Sequence, residues 1–148
     1  MPDTVRKVEY FSLQISGKPG EAFKVLSTLV SAGINLLACT GTQRGRRARI
    51  DVVPDDTRRF KAATKKAGLS FQPEKSGFLI QGDDRPGALA ENLKKLADGG
   101  VNVSGIDGVS AGEARFGAIL WFEPPDARKA GKLLGAAGTG RSSPARRS

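Results

Sequence analysis

Residues 81–103 read QGDDRPGALAENLKKLADGGVNV, and residues 15–36 read ISGKPGEAFKVLSTLVSAGINL. The two stretches superpose with Pro19 on Pro86, an offset of 67 positions. The same offset places Phe11 on Phe78, Gln14 on Gln81, Leu26 on Leu93 and Leu29 on Leu96. It also places Gly33 on Gly100, Asn35 on Asn102, Gly41 on Gly108 and Gly45 on Gly112, with no gap. Self-similarity at a fixed period marks a duplicated structural unit. The 148 residues therefore hold two copies of one small unit, each near the size at which a domain leans on a neighbour.

Within the first copy Phe11, Leu13 and Ile15 alternate with polar residues, the period of a half-buried strand. The Pro-Gly pair then opens a helix, with Pro86 of the second copy expected in its first turn. The apolar face predicted for that helix is Ala22, Val25, Leu26, Leu29 and Val30 in one copy and Leu89, Leu93, Leu96 and Ala97 in the other. Gly33 and Gly100 fall where a helix C-terminal glycine belongs. A strand (34–42; 101–109), a glycine-bearing turn and a returning strand (48–53; 114–122) come next. A second helix follows (57–67 with Phe60 and Ala63 inward; 126–137 with Ala130, Leu133 and Leu134 inward). Residues 69–71 are expected to close the first copy with a strand that the second copy lacks.

Each unit thus reads β-α-β-β-α-β, an α+β ferredoxin-like arrangement with an antiparallel sheet covered by helices on one face. The expected organisation is unit 1 at 5–74, unit 2 at 75–138, and a basic flexible tail at 139–148. In the returning strand of the second copy, Phe116, Ala118, Leu120 and Phe122 point one way, while Ile119 and Trp121 point the other. The matching strand of the first copy alternates Ala48, Ile50 and Val52 with Arg47, Arg49 and Asp51. Ile119 and Trp121 are therefore expected at an interface with another sheet or subunit.

Residues 81–103 resemble the signature of ACT domains, amino-acid-binding regulatory modules in which a strand, a D/N-R-P-G turn, a helix and a G-(I/V)-N-(I/V) strand recur. Residues 15–36 are similar, most closely at AGINL, and the resemblance covers both halves. It implies a ligand seated where the loop of one unit meets a neighbouring unit, with Asp84, Arg85, Gly87, Ala88, Val101 and Asn102 around it. The residue chemistry suits that expectation. Asp84 is placed to cap the helix or to hold an ammonium. Gly87 and Ala88 are placed to offer N–H groups to a carboxylate at the positive end of the helix. Asn102 offers both a donor and an acceptor. Each also has a plain structural role open to it, in the turn, the cap or the strand start. The first copy has Gly17 and Lys18 in place of Asp84 and Arg85, and Asn35 is its candidate contribution to a shared site. Some members of the family carry a histidine near the place of Gly82, and this chain has none.

Composition excludes several functions. Histidine is absent and Cys39 is the single cysteine, which removes Ser-His-Asp and Cys-His nucleophilic sites, thiolate zinc clusters and intrachain disulfides. No lysine or glutamate falls on an apolar stretch that would tune it for catalysis, so the chain is read as non-enzymatic, with no cofactor. Asp83, Asp84 and Asp107 lack the companions of a metal site. Cys39 is expected to pack as a small buried apolar residue. No apolar run is long enough for a membrane span, and the start is unlike a signal peptide; the expected location is cytoplasmic.

The net charge of +9 is regional: residues 44–66 hold nine basic residues against three aspartates, and the last ten residues add three arginines. The bland reading of that charge is a solvated face, and nucleic acid is disfavoured as a partner. An RNA-recognition unit would need a stacking aromatic where Ala118 stands. The sequence reading is therefore a regulator that binds an amino acid or similar small metabolite, pairs as a homodimer, and acts on a protein partner. The alternatives are a ligand-free ACT scaffold or adaptor, and a basic regulator that contacts nucleic acid.

Overall fold

The computed structural model describes residues 3–136. In chain order the elements are β1 (Thr4–Ser16), α1 (Glu21–Ser31), β2 (Leu36–Arg44), β3 (Arg47–Pro54), α2 (Thr57–Ala67), β4 (Gln72–Asp83), α3 (Ala88–Asp98), β5 (Gly105–Gly112), β6 (Arg115–Phe122) and α4 (Pro124–Leu134). They divide into two compact units, one formed by Glu9–Glu74 and the other by the residues before Glu9 together with those after Glu74.

In the first unit the strand order is β2-β3-β1, with both neighbours antiparallel to β3. The register Phe11↔Val52 and Leu13↔Ile50 turns these apolar residues to one face, as side chains alternate along a strand. They meet Val25 and Leu29 of α1 and Phe60 of α2 in a single core. Phe60 anchors that core, its ring 4.9 Å from Phe11 and 5.1 Å from Phe71. The buried stripe of α1 is narrower than the sequence pattern implied: Ala22 is exposed and Val30 is 72% exposed. At 100° per residue Val30 lies well round the helix from Val25 and Leu29. The expected strand at 69–71 also differs. Leu69 and Phe71 pack on the core, and β4 begins only at Gln72.

The second unit has the strand order β1-β4-β6-β5, its outer strand being the first residues of β1. The hydroxyl of Thr4 donates to the carbonyl of Gln81 at 3.4 Å, and Val5 packs on the core. The closing strand that the second copy lacks in sequence is therefore supplied from the start of the chain. Residues 5–8, expected with the first unit, belong to the second for that reason. Phe78, Ile80, Phe116, Ala118, Leu120 and Phe122 of its sheet face Ala88 and Leu96 of α3 and Ala130 and Leu134 of α4. In α3 the buried positions are Ala88, Asn92 and Leu96, while Leu89 and Leu93 are half-buried and Ala97 is exposed.

The helix ends repeat at the offset of the sequence. After α1, Gly33 N–H donates to Val30 and Ile34 N–H to Leu29; after α3, Gly100 donates to Ala97 and Val101 to Leu96. This paired closure needs a left-handed residue at its centre, and Gly33 and Gly100 supply it at φ 74° and 75°.

Ile119 and Trp121 are buried within the chain, at 4% and 7% exposure. Trp121 stands opposite Gly77 of β4 and Gly105 of β5, and its indole N–H donates to Asp107 at 3.2 Å. The ring sits over Gly77 and Gly105 within its own sheet. The tail expected at 139–148 and the expected helix end at Ala137 lie outside the described residues. Among the described residues no helix is long and apolar enough to cross a membrane.

Candidate functional site

The Pro-Gly turns adopt one geometry in both units. Ala88 N–H donates to Arg85 at 3.1 Å, and Gly87 has φ 84° and ψ −1°. Glu21 N–H donates to Lys18 at 3.3 Å, and Gly20 has φ 88° and ψ −12°. These are the third-residue angles of a type II turn, with proline at the second position. Pro86 therefore stands ahead of α3 rather than in its first turn.

Two expectations change with that geometry. Asp84 does not cap the helix, since no side chain caps α3. Its carboxylate instead accepts the Ser110 hydroxyl at 3.1 Å, and its backbone N–H donates to Ala114 at 2.8 Å. The Ala88 N–H is consumed by the turn, so the first-turn donors left for a ligand move to Leu89 and Ala90.

The turn, the first turn of α3 and strands β5 and β6 line an open depression of about 510 Å³. Asp84, Arg85, Gly87, Ala88, Leu89 and Ala90 line one side, and Gly108, Val109, Ser110, Phe116 and Ala118 line the other. The Arg85 guanidinium reaches Glu91 at 2.8 Å, an exposed pair along the helix. Four of the sequence-predicted residues are thus brought together here: Asp84, Arg85, Gly87 and Ala88. Ser110, which orients Asp84, was not singled out by sequence. It stands 26 residues from Asp84, so no local pattern joined the two.

The other candidates lie elsewhere. Val101 is a core residue at 6% exposure whose N–H closes α3. Asn102 is exposed beyond the far end of α3, an 11-residue helix spanning about 16 Å. Asn35 belongs to the first unit, is exposed, and gives its carbonyl to the Asp55 N–H at 2.9 Å. In the first unit Gly17 makes the backbone bond that Asp84 makes in the second, donating to Arg46 at 2.7 Å, but brings no carboxylate. At Gly82 a Cβ would fall 1.9 Å from Asp3 Oδ1, so a side chain there requires Asp3 to move.

No protein-family model matches the chain, and no curated protein matches it in sequence. Solved structures do match. Protein BT0572 from Bacteroides thetaiotaomicron aligns with a TM-score of 0.71 at 21% identity, over 90% of this chain and 88% of that one. The ligand-free regulatory subunit of aspartate kinase from Thermus thermophilus aligns at 0.60 and 18% identity, over 91% and 95%. A structure of aspartokinase alpha and beta subunits aligns at 0.58 and 14%, over 90% and 95%. The chain has a tandem ACT fold. At these identities the likeness is one of fold.

Cys39 of the first ACT unit is exposed on β2, against the expectation of a buried residue. Partial burial raises its thiol pKa, and the charge of Asp51 adds to the rise.

Proposed function

We propose that the second ACT unit binds an amino acid or a similar small metabolite in the depression beside Asp84, and that the protein acts as a non-enzymatic regulator. The observation that carries this reading is the pairing of opposite chemistries across one depression. Asp84, fixed by Ser110, leaves a carboxylate oxygen to accept an ammonium. The uncapped start of α3 offers N–H donors and a positive dipole end to a carboxylate. A zwitterion satisfies both, and Leu89, Phe116 and Ala118 offer apolar contact to its side chain. The regulatory role is supported by the fold shared with the Thermus thermophilus regulatory subunit. Asn102, outside the depression, would join the site from a second copy in a homodimer. A conformational or assembly response follows only if the ligand binds two states unequally.

The test is a thermal-shift screen of the protein against the twenty amino acids, with calorimetry on every hit. A ligand at 100 times its dissociation constant should stabilise by about 2.7 kcal/mol. Asp84→Ala should abolish the shift and leave the unliganded fold intact. Silence across the panel, or undiminished binding by Asp84→Ala, overturns the assignment and leaves the scaffold reading.

A further inference from the structure

We propose that the sheet face of the first unit turned away from its helices binds a small polyanion bearing phosphate or carboxylate groups. That face of the first unit holds an open groove of about 580 Å³ lined by Gln14, Thr42, Arg44, Arg47, Arg49 and Asp51. Strand alternation puts these side chains opposite Phe11, Ile50 and Val52, which face the helices. Register aligns five of them in two rows, Gln14, Arg49 and Thr42 across one and Arg47 beside Arg44 in the next, with Asp51 in the row on the other side of Arg49.

The charges in the two rows are not treated alike. Arg49 is neutralised: its Nε contacts Asp51 at 2.7 Å and its Nη2 lies 4.0 Å from Glu74. Asp51 is held in turn by the Ser12 hydroxyl. Arg44 and Arg47 are direct cross-strand partners, and no ion pair within the described residues involves either. Like charges directly opposite on adjacent strands repel. Two guanidiniums on a concave wall, with the hydroxyl of Thr42 and the amide of Gln14 in the next row, form a donor array suited to planar or tetrahedral oxyanions. A volume of this order accommodates a small metabolite. The sequence shows these arginines as a charge run; the register turns part of that run into a wall. This site is separate from the depression beside Asp84 and does not depend on it.

The experiment titrates the full chain with pyrophosphate and, separately, with citrate, in phosphate-free buffer of low ionic strength, by calorimetry and thermal shift. Saturable binding of pyrophosphate assigns a phosphate-bearing ligand, and preference for citrate assigns a polycarboxylate. In either case Arg44→Ala with Arg47→Ala should lose at least tenfold in affinity. Lysine at both positions should recover part of it, and Arg58→Ala on α2 should match wild type. Without anion, the double alanine variant should melt no lower than wild type, because a repulsion has been removed. Absence of binding by both anions, equal affinity in the double alanine variant, or binding only to a single-stranded oligonucleotide overturns the proposal.

Discussion

Trp121 packs against Gly77: a Cβ added to Gly77 would come within 2.5 Å of the indole Cε3 and 2.6 Å of the Leu120 carbonyl. The glycine leaves the space that the largest side chain of β6 occupies. Gly77→Ala should cost about 1–3 kcal/mol, as overpacking does, and Trp121→Ala about 3–5 kcal/mol. The double variant should cost less than the sum of the two single costs, because removing the indole relieves part of the clash. The Leu120 carbonyl keeps the relief incomplete. Urea denaturation of the four proteins measures the coupling, and strict additivity would show that the ring does not rest on Gly77.

The β5–β6 turn holds Glu113 at φ 53° and Ala114 at φ 58°. Positive φ at both central residues is the type I′ pattern, which favours Asn-Gly. Left-handed geometry costs an ordinary L-residue roughly 1–2 kcal/mol, and part of that is returned to the unfolded chain by glycine. Glu113→Asn with Ala114→Gly should therefore stabilise by about 1 kcal/mol, raising the urea midpoint with an unchanged slope. A lower midpoint would contradict the turn geometry.

How much of this was legible in the sequence depends on how local each signal is. Gly33 and Gly100 marked helix ends correctly, because the closing bonds from Ile34 and Val101 involve residues five apart. Thr4 and Val5 could not be assigned to the second unit, since their partners lie at Gln81 and in its core. The contact of Trp121 with Gly77 and Gly105 was hidden as well, because a missing side chain gives no hydrophobic pattern. The site was half visible. Asp84, Arg85, Gly87 and Ala88 came from the motif, but R-P-G-A is compatible with either a helix start or a type II turn. Only the positive φ of Gly87 decides between them and moves the donors to Leu89 and Ala90.

Asp3 occupies the space beside Gly82 and accepts a hydrogen bond at 3.3 Å from Asn92, a side chain only 1% exposed that also donates to the Ala88 carbonyl at 3.2 Å. At the matching place in the first unit stands Val25, an ordinary core residue. Gly82→Ala must push Asp3 aside and crowd Phe116, at a cost of about 1–3 kcal/mol. In an Asp3→Ala background the same substitution should cost less, since the carboxylate is gone and the ring of Phe116 is the remaining obstacle. Equal costs in the two backgrounds, measured by urea denaturation, would remove Asp3 from the neighbourhood of Gly82.

The raised pKa of Cys39 has two causes, partial burial first and the Asp51 charge second. The thiolate is the reacting species, so the rate of alkylation by iodoacetamide should inflect at a higher pH than that of an unhindered cysteine. Asp51→Asn removes the smaller cause and should lower the inflection while leaving it above the reference. The same shift is linked to stability. A thiol that holds its proton more tightly when folded loses stability as pH rises past the unfolded thiol's pKa towards the folded one, because the unfolded state then binds fewer protons. Comparison of wild type with Cys39→Ser isolates this component: the difference in stability should be constant below the thiol range and should shift against wild type as the pH climbs through it. A constant difference throughout would show that folding leaves the thiol unperturbed.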